Sequence, residues 1–183
     1  MPSIEGLLYN PYSSSFLHCR MQQQWADLAV WEEFLNHVKD IKSFIELGTG
    51  YCGLATFFLL QCIQRCINFR TFDIKDNSRL NLPVAKLIGL REHFVQGDIF
   101  ASPELVGDSI KNLPKPLLLF CDNGDKPREF RTFVPMLASG DYVATHDWPS
   151  EINEDHVAGF SIHPIMSEGC EVWKSMTRFW RIK

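Results

Sequence analysis

Five short apolar runs, each with a carboxylate at or next to its end, constrain this chain more than any other feature. They are SFIEL (43–47), NFRTFD (68–73), HFVQGD (93–98), PLLLFCD (116–122) and DYVATHD (141–147). Runs of this length, rich in β-branched and aromatic residues, predict strands, and the near-continuous apolar ones predict burial on both faces. Segments of helical spacing lie between them. LATFFLLQCIQRC follows the first run and NLPVAKLIGL (81–90) the second; before the last, Phe130, Phe133, Val134 and Leu137 recur at i, i+3, i+4 and i+7. Pro127 suits the first turn of that last helix, and Pro135 kinks it or ends it early. Ahead of the first strand, residues 22–39 place Trp31, Phe34, Leu35 and Val38 on one face of an amphipathic helix. Strands alternating with helices imply an α/β fold, with a mostly parallel sheet wound on both faces. EVWKSM and TRFWRIK read as two further β segments joined by a turn, which makes seven strands and closes the sheet with an antiparallel C-terminal strand.

At 183 residues and 45% hydrophobic composition, the chain can bury one sizeable core. The expectation is a single domain over 1–183: an N-terminal segment and helix at 1–40, a core at 41–150, and C-terminal β elements at 151–183. A net charge of −4 gives no broad attraction to phosphate backbones or anionic membranes, so neither nucleic acid nor membrane is an expected partner. No leader or bilayer-length apolar run is evident, and a cytoplasmic location is the expectation. Six cysteines show neither scaffold density nor paired zinc spacing, and read as reduced and mostly buried.

Ligands of open parallel sheets bind at the carboxyl ends of the strands, where the chain order reverses. That edge here receives Glu46, Asp73, Asp98, Asp122 and Asp147. An aspartate after a strand commonly caps the next helix. Five at one edge repel one another, however, and call for a ligand, a metal or basic groups in compensation. The loop GTGYCG (48–53) satisfies G-x-G-x-x-G, which serves as a nucleotide-binding turn or simply as a tight strand-to-helix connection. Glu46 separates the ligands: a carboxylate just before the loop suits the cationic S-adenosylmethionine and repels a pyrophosphate. Asp73 is placed for ribose hydroxyls and Asp98 for an adenine amino group.

At these residues the chain resembles the class I S-adenosylmethionine-dependent methyltransferases, which have a Rossmann-like sheet. The resemblance runs over about residues 43–147, through IELGTGYCG, TFD, QGD, LLLFCDNGDK and LASGDYVATHD. With QQQWADL upstream, the chain looks most similar to the small-molecule O-methyltransferases grouped with macrocin O-methyltransferase and the cephalosporin hydroxylase group. The resemblance implies cofactor contacts from Glu46, Gly48, Thr49, Gly50, Asp73, Asp98 and Ile99, and a magnesium ion on Asp122, His146 and Asp147. It implies catalytic roles for His146, Asp122 and Lys126, a small-molecule acceptor, and a homodimer or an open cleft around Tyr9–Gln24 and Trp148–Phe160. His146 reads as a general base, a metal ligand or a strand-end histidine, with the base ranked first. Lys126 and Asp125 read either as base or substrate contacts or as ordinary helix-start residues. Trp148 with PSEINEDHV forms either a flap over the acceptor or an exposed acidic loop. Three departures stand out: Cys52 where the third glycine is usual, LASGDY in place of L-x-P-G-G, and His146–Asp147 where two acidic or amide ligands are usual. An NAD-linked oxidoreductase and a non-catalytic binding protein of the same fold are the alternatives.

Overall fold

In the computed structural model the described residues are 15–76 and 78–183, so the part of the expected acceptor segment before residue 15 lies outside them. An antiparallel hairpin, β1 (Ser15–Phe16) and β2 (Cys19–Arg20), leads into α1 (Trp25–His37). The alternation then runs β3 (Ser43–Leu47), α2 (Gly53–Arg65), β4 (Asn68–Asp73), α3 (Pro83–Leu87), α4 (Leu90–His93), β5 (Phe94–Gln96), α5 (Glu104–Asn112) and β6 (Leu117–Cys121). After these come α6 (Lys126–Phe133), which tightens into a 3-10 turn over Val134–Met136 at Pro135, and β7 (Tyr142–Thr145). The chain closes with α7 (Glu154–Val157), β8 (Ile162–Ile165), α8 (Ser167–Val172) and β9 (Arg178–Ile182).

Among the described residues the sheet has seven strands, in the order β5-β4-β3-β6-β7-β9-β8. Neighbours from β5 to β7 pair in parallel, and β9 is antiparallel to both β7 and β8. This is the expected Rossmann-like, doubly wound sheet with an antiparallel C-terminal strand. From β3 the chain builds outward through β4 and β5, then returns to add β6 on the other side of β3. The reversal point is therefore the crevice between the ends of β3 and β6, where a ligand site is expected.

The central strands are buried on both sides and divide their side chains between two cores. Phe44, Leu118 and Phe120 join Trp31, Phe34 and Phe58 under α1 and α2. Ile45, Leu47, Leu119 and Cys121 join Phe130, Phe133 and Trp180 on the opposite face. Trp31 is the hub of the first core, with Phe58, Phe120 and Phe179 ring centroids 4.7, 4.9 and 4.8 Å away.

Three local expectations are corrected. NLPVAKLIGL forms two helices because Gly89 adopts φ 69° between α3 and α4, and His93 ends α4 instead of lying in a strand. EVWKSM is not a strand. Glu171 and Val172 finish α8, and the partner of β9 is β8, whose Pro164 sits on the sheet edge where a missing N–H is tolerated. Trp148 is no flap: it is 9% exposed and packs on Trp180 at 5.6 Å in the second core. All six cysteines are free thiols, and five of them are buried. Among the described residues, no helix is long and apolar enough to cross a membrane.

Candidate functional site

The carboxyl ends of β3, β4, β6 and β7 open into a cleft of about 400 Å³, roofed at one side by the segment after β2. Its lining includes Arg20 to Gln23, Gly48 to Tyr51, Asp73, Asp122, Lys126, His146, Asp147 and Glu151. The volume lies within the range typical of small-ligand sites.

The three glycines of the loop have different reasons to be glycine. At Gly48, φ is 101° and a Cβ would lie 2.4 Å from the Asp122 carbonyl oxygen, so this residue permits the close approach of the β3 and β6 ends. Gly50, at φ 51°, has as its nearest obstacle among the described residues the Gly48 carbonyl oxygen at 4.0 Å. At Gly53 a Cβ would lie 2.3 Å from the Arg20 carbonyl oxygen, so the hairpin can sit on the first turn of α2 only because Gly53 has no side chain. Cys52 takes the left-handed conformation at φ 66°, is fully buried and does not line the cleft. Burial pushes its thiol up to about 12, which removes it as a nucleophile.

Of the five strand-end carboxylates, the fold brings Asp73, Asp122 and Asp147 together on the cleft wall. Asp73 Oδ2 accepts the Gly50 N–H at 2.9 Å and so ties β4 to the glycine loop. Glu46 does not face the cleft. It is fully buried beneath the loop, where burial drives its carboxyl well above the ordinary range, and Oε1 has no hydrogen-bond partner among the described residues. Its Oε2 accepts from Thr71 Oγ1 at 2.5 Å, and the Thr71 hydroxyl in turn pairs with that of Thr49 at 2.6 Å. Glu46 therefore supports Thr49 of the loop from below. Asp98 and Ile99 lie outside the cleft lining: Asp98 Oδ1 accepts from the Phe100 and Ala101 N–H groups at 2.9 and 3.1 Å, and Ile99 is 1% exposed in the second core.

The compensation demanded by crowded carboxylates comes from two side chains, Lys126 and His146. Lys126 starts α6, whose N-cap Asp125 accepts the Arg128 N–H at 3.1 Å. Its ammonium lies 2.5 Å from Asp147 Oδ2, 2.9 Å from Glu151 Oε2 and 3.5 Å from Asp122 Oδ1. Burial would lower the Lys126 pKa, but these three carboxylates outweigh it and hold the group above its ordinary value. His146 contacts Asp27 Oδ2 through Nε2 at 3.2 Å and Asp147 Oδ1 through Nδ1 at 3.1 Å. Burial again opposes charge, yet the hydrogen bonds to Asp147 and Asp27 and the charge on Asp122 keep the ring well above the ordinary histidine value. Both ring nitrogens are engaged with carboxylates, which favour the charged form of the ring. To act as the expected general base, His146 would have to release one of these two contacts.

The two aspartates of the cluster are driven apart. Burial raises Asp122 to about 6 against the pull of His146 and Lys126. Asp147 is held well below the usual range, because its bonds to His146 and Lys126 outweigh its burial. Asp122, His146 and Asp147 each bring a potential ligating atom within 4.8 Å of the others, and with both His146 nitrogens engaged the oxygens of Asp122 and Asp147 are the donors that suit a cation. Gln23 Nε2 donates to Asp122 Oδ2 at 2.8 Å from the roof of the cleft.

Three of these contacts were not anticipated from sequence. Asp27, fully buried in the first turn of α1, accepts from Ser175 Oγ at 2.6 Å and Thr177 Oγ1 at 3.2 Å as well as facing His146. Glu129 accepts the Asn123 N–H at 3.0 Å and shapes the loop after β6, with burial raising it to about 8. Glu151 joins Lys126 from the loop after β7. In sequence, an acid in a first helical turn or a polar loop signals only capping or solvation.

No protein-family model matches the sequence, and no curated protein matches it. Solved structures do match in fold. CmcI in an apo structure aligns over 93% of this chain and 76% of its own, with a TM-score of 0.68 at 17% identity. CmcI with Mg and SAM aligns over 90% and 74%, with a TM-score of 0.65 at 18% identity. The MycE methyltransferase from the mycinamycin biosynthetic pathway, in complex with Mg, SAH and mycinamycin VI, aligns over 86% of this chain and 49% of its own, with a TM-score of 0.54 at 14% identity. At such identities the likeness is one of fold alone.

Proposed function

We propose that this chain is an S-adenosylmethionine-dependent methyltransferase that acts on a hydroxyl group of a small molecule. The observation that carries the reading is the meeting, in one cleft, of an open glycine loop tied to Asp73 and a carboxylate cluster at the ends of β6 and β7. The donor lies along the loop, with Asp73 beside its ribose and Arg20, whose guanidinium stacks over the Tyr51 ring at 4.3 Å, offering charge to its carboxylate. The sulfonium then faces Asp122 and Asp147, an acidic environment that favours a cationic donor. Asp98, one strand beyond Asp73, remains the candidate for the adenine end. The likeness to CmcI with Mg and SAM, and to MycE with Mg and SAH, supports the same choice.

The acceptor hydroxyl attacks the methyl carbon in line, so that an O–C bond forms as the C–S bond breaks and S-adenosylhomocysteine leaves. The cleft contributes mainly alignment and exclusion of water. With no metal on the cluster, the hydroxyl proton passes to one of its carboxylates, and Asp122, raised to about 6, is the member suited to take it. Magnesium fits the carboxylate oxygens of Asp122 and Asp147, and once bound it would supply charge that acidifies the acceptor hydroxyl. A dinucleotide is disfavoured, since its pyrophosphate would meet Asp73, Asp122, Asp147 and Glu151 in the same cleft. Calorimetric titration with S-adenosylhomocysteine and with NADH tests the reading: the expected result is binding of the first alone, and binding of NADH alone would end it.

A further inference from the structure

A side chain of the protein already stands where a divalent cation would. The Lys126 ammonium touches Asp147 and Glu151 and lies near Asp122, and its side chain is only 5% exposed. A metal on Asp122 and Asp147 would draw on the same two carboxylates. Magnesium draws oxygens to about 2.0–2.1 Å, so a cation sharing these carboxylates would sit within a few ångströms of the ammonium. At that separation and in a partly buried site, the two like charges repel. His146 gives no relief, because Asp27 and Asp147 hold its ring in place.

We propose that Lys126 is a built-in counter-cation that excludes divalent metal from the cluster, so that metal and ammonium occupy the three carboxylates in turn and never together. The inference rests on the methyltransferase reading for the purpose of the site, but its geometry stands apart from it. The chain neutralises its own carboxylates when no metal is bound. A metal must first displace the ammonium, which then becomes available to the acceptor side of the cleft.

The test is Mn²⁺ binding to the whole chain, followed by electron paramagnetic resonance, for the wild type, Lys126→Met and Lys126→Arg. Removing the charge is expected to tighten Mn²⁺ binding by about tenfold or more, while the arginine variant stays at the wild-type affinity. Lys126→Gln, which keeps a donor toward Asp147 without the charge, carries the test if the methionine variant fails to fold. Neutral variants that bind Mn²⁺ no more tightly than the wild type, whether all bind or none does, overturn the proposal. Calorimetry with S-adenosylhomocysteine on the same samples separates the two claims. Loss of that binding in the wild type counts against the methyltransferase reading, and the Mn²⁺ comparison still decides the role of Lys126.

Discussion

Alanine substitutions at Gly48 and Gly50 should separate the packing role of the glycine loop from its ligand role. At Gly48 the new Cβ would meet the Asp122 carbonyl oxygen at 2.4 Å, its carbon at 2.8 Å and the Asn123 Cα at 2.9 Å, all backbone atoms that cannot rotate away. The strained φ of 101° adds about 1–2 kcal/mol for any residue with a Cβ. Relieving the clash means parting the ends of β3 and β6, where the Asp122 N–H donates to the Leu47 carbonyl at 3.0 Å. Losing that buried bond costs a further ~1–3 kcal/mol. Gly48→Ala is therefore expected to lose about 3 kcal/mol or more of stability. At Gly50 only the conformational cost applies, about 1 kcal/mol, because among the described residues nothing but the Gly48 carbonyl lies within reach. Urea unfolding measures both, and calorimetry with S-adenosylhomocysteine measures what remains of the site. Gly50→Ala should fold nearly as well as the wild type yet bind the ligand about tenfold more weakly, since its Cβ projects into the cleft. Equal stability for the two variants would refute the packing argument, and unchanged affinity in Gly50→Ala would remove the loop from the ligand site.

The raised pKa of His146 ties stability to pH. A group raised in the folded state contributes fully below its unfolded value near 6.5, and the contribution is lost as pH rises through the folded value. Asp27→Asn should lower the titration midpoint of the His146 ring, followed by NMR, and bring the alkaline loss of stability to lower pH; an unmoved midpoint would show that Asp27 does not hold the charge. In the first core, Trp31→Ala should cost roughly 3–5 kcal/mol in urea unfolding, as for other large buried aromatics; a loss below about 1 kcal/mol would mean that the cluster around it repacks freely.

The sheet was legible in the sequence wherever a strand is buried on both faces, because SFIEL and PLLLFC leave no other element able to hide them. The C-terminal region was not. Val172 and Trp173 look like strand residues but are exposed on and beside a short helix, and β8 is an edge strand interrupted by a proline. The site was legible as a set of strand ends but not as a set of contacts. Glu46 was read toward the ligand; its place in β3, two residues after Phe44, turns it toward the first core, beneath the loop. The pairing of Asp27 with His146 spans 119 residues, and neither neighbourhood hints at the other. The need for positive charge among the aspartates could be inferred from their number. Which cations meet it, Lys126 and His146, depends on how α6 and the end of β7 pack.

A crystal structure with S-adenosylhomocysteine bound tests the central claim most directly. The account expects the ligand along Gly48–Gly50, with its ribose on Asp73 and its sulfur toward Asp122 and Asp147. A ligand bound elsewhere on the chain, or a cleft that stays free of it at saturating concentration, would contradict the assignment of this cleft to methyl transfer.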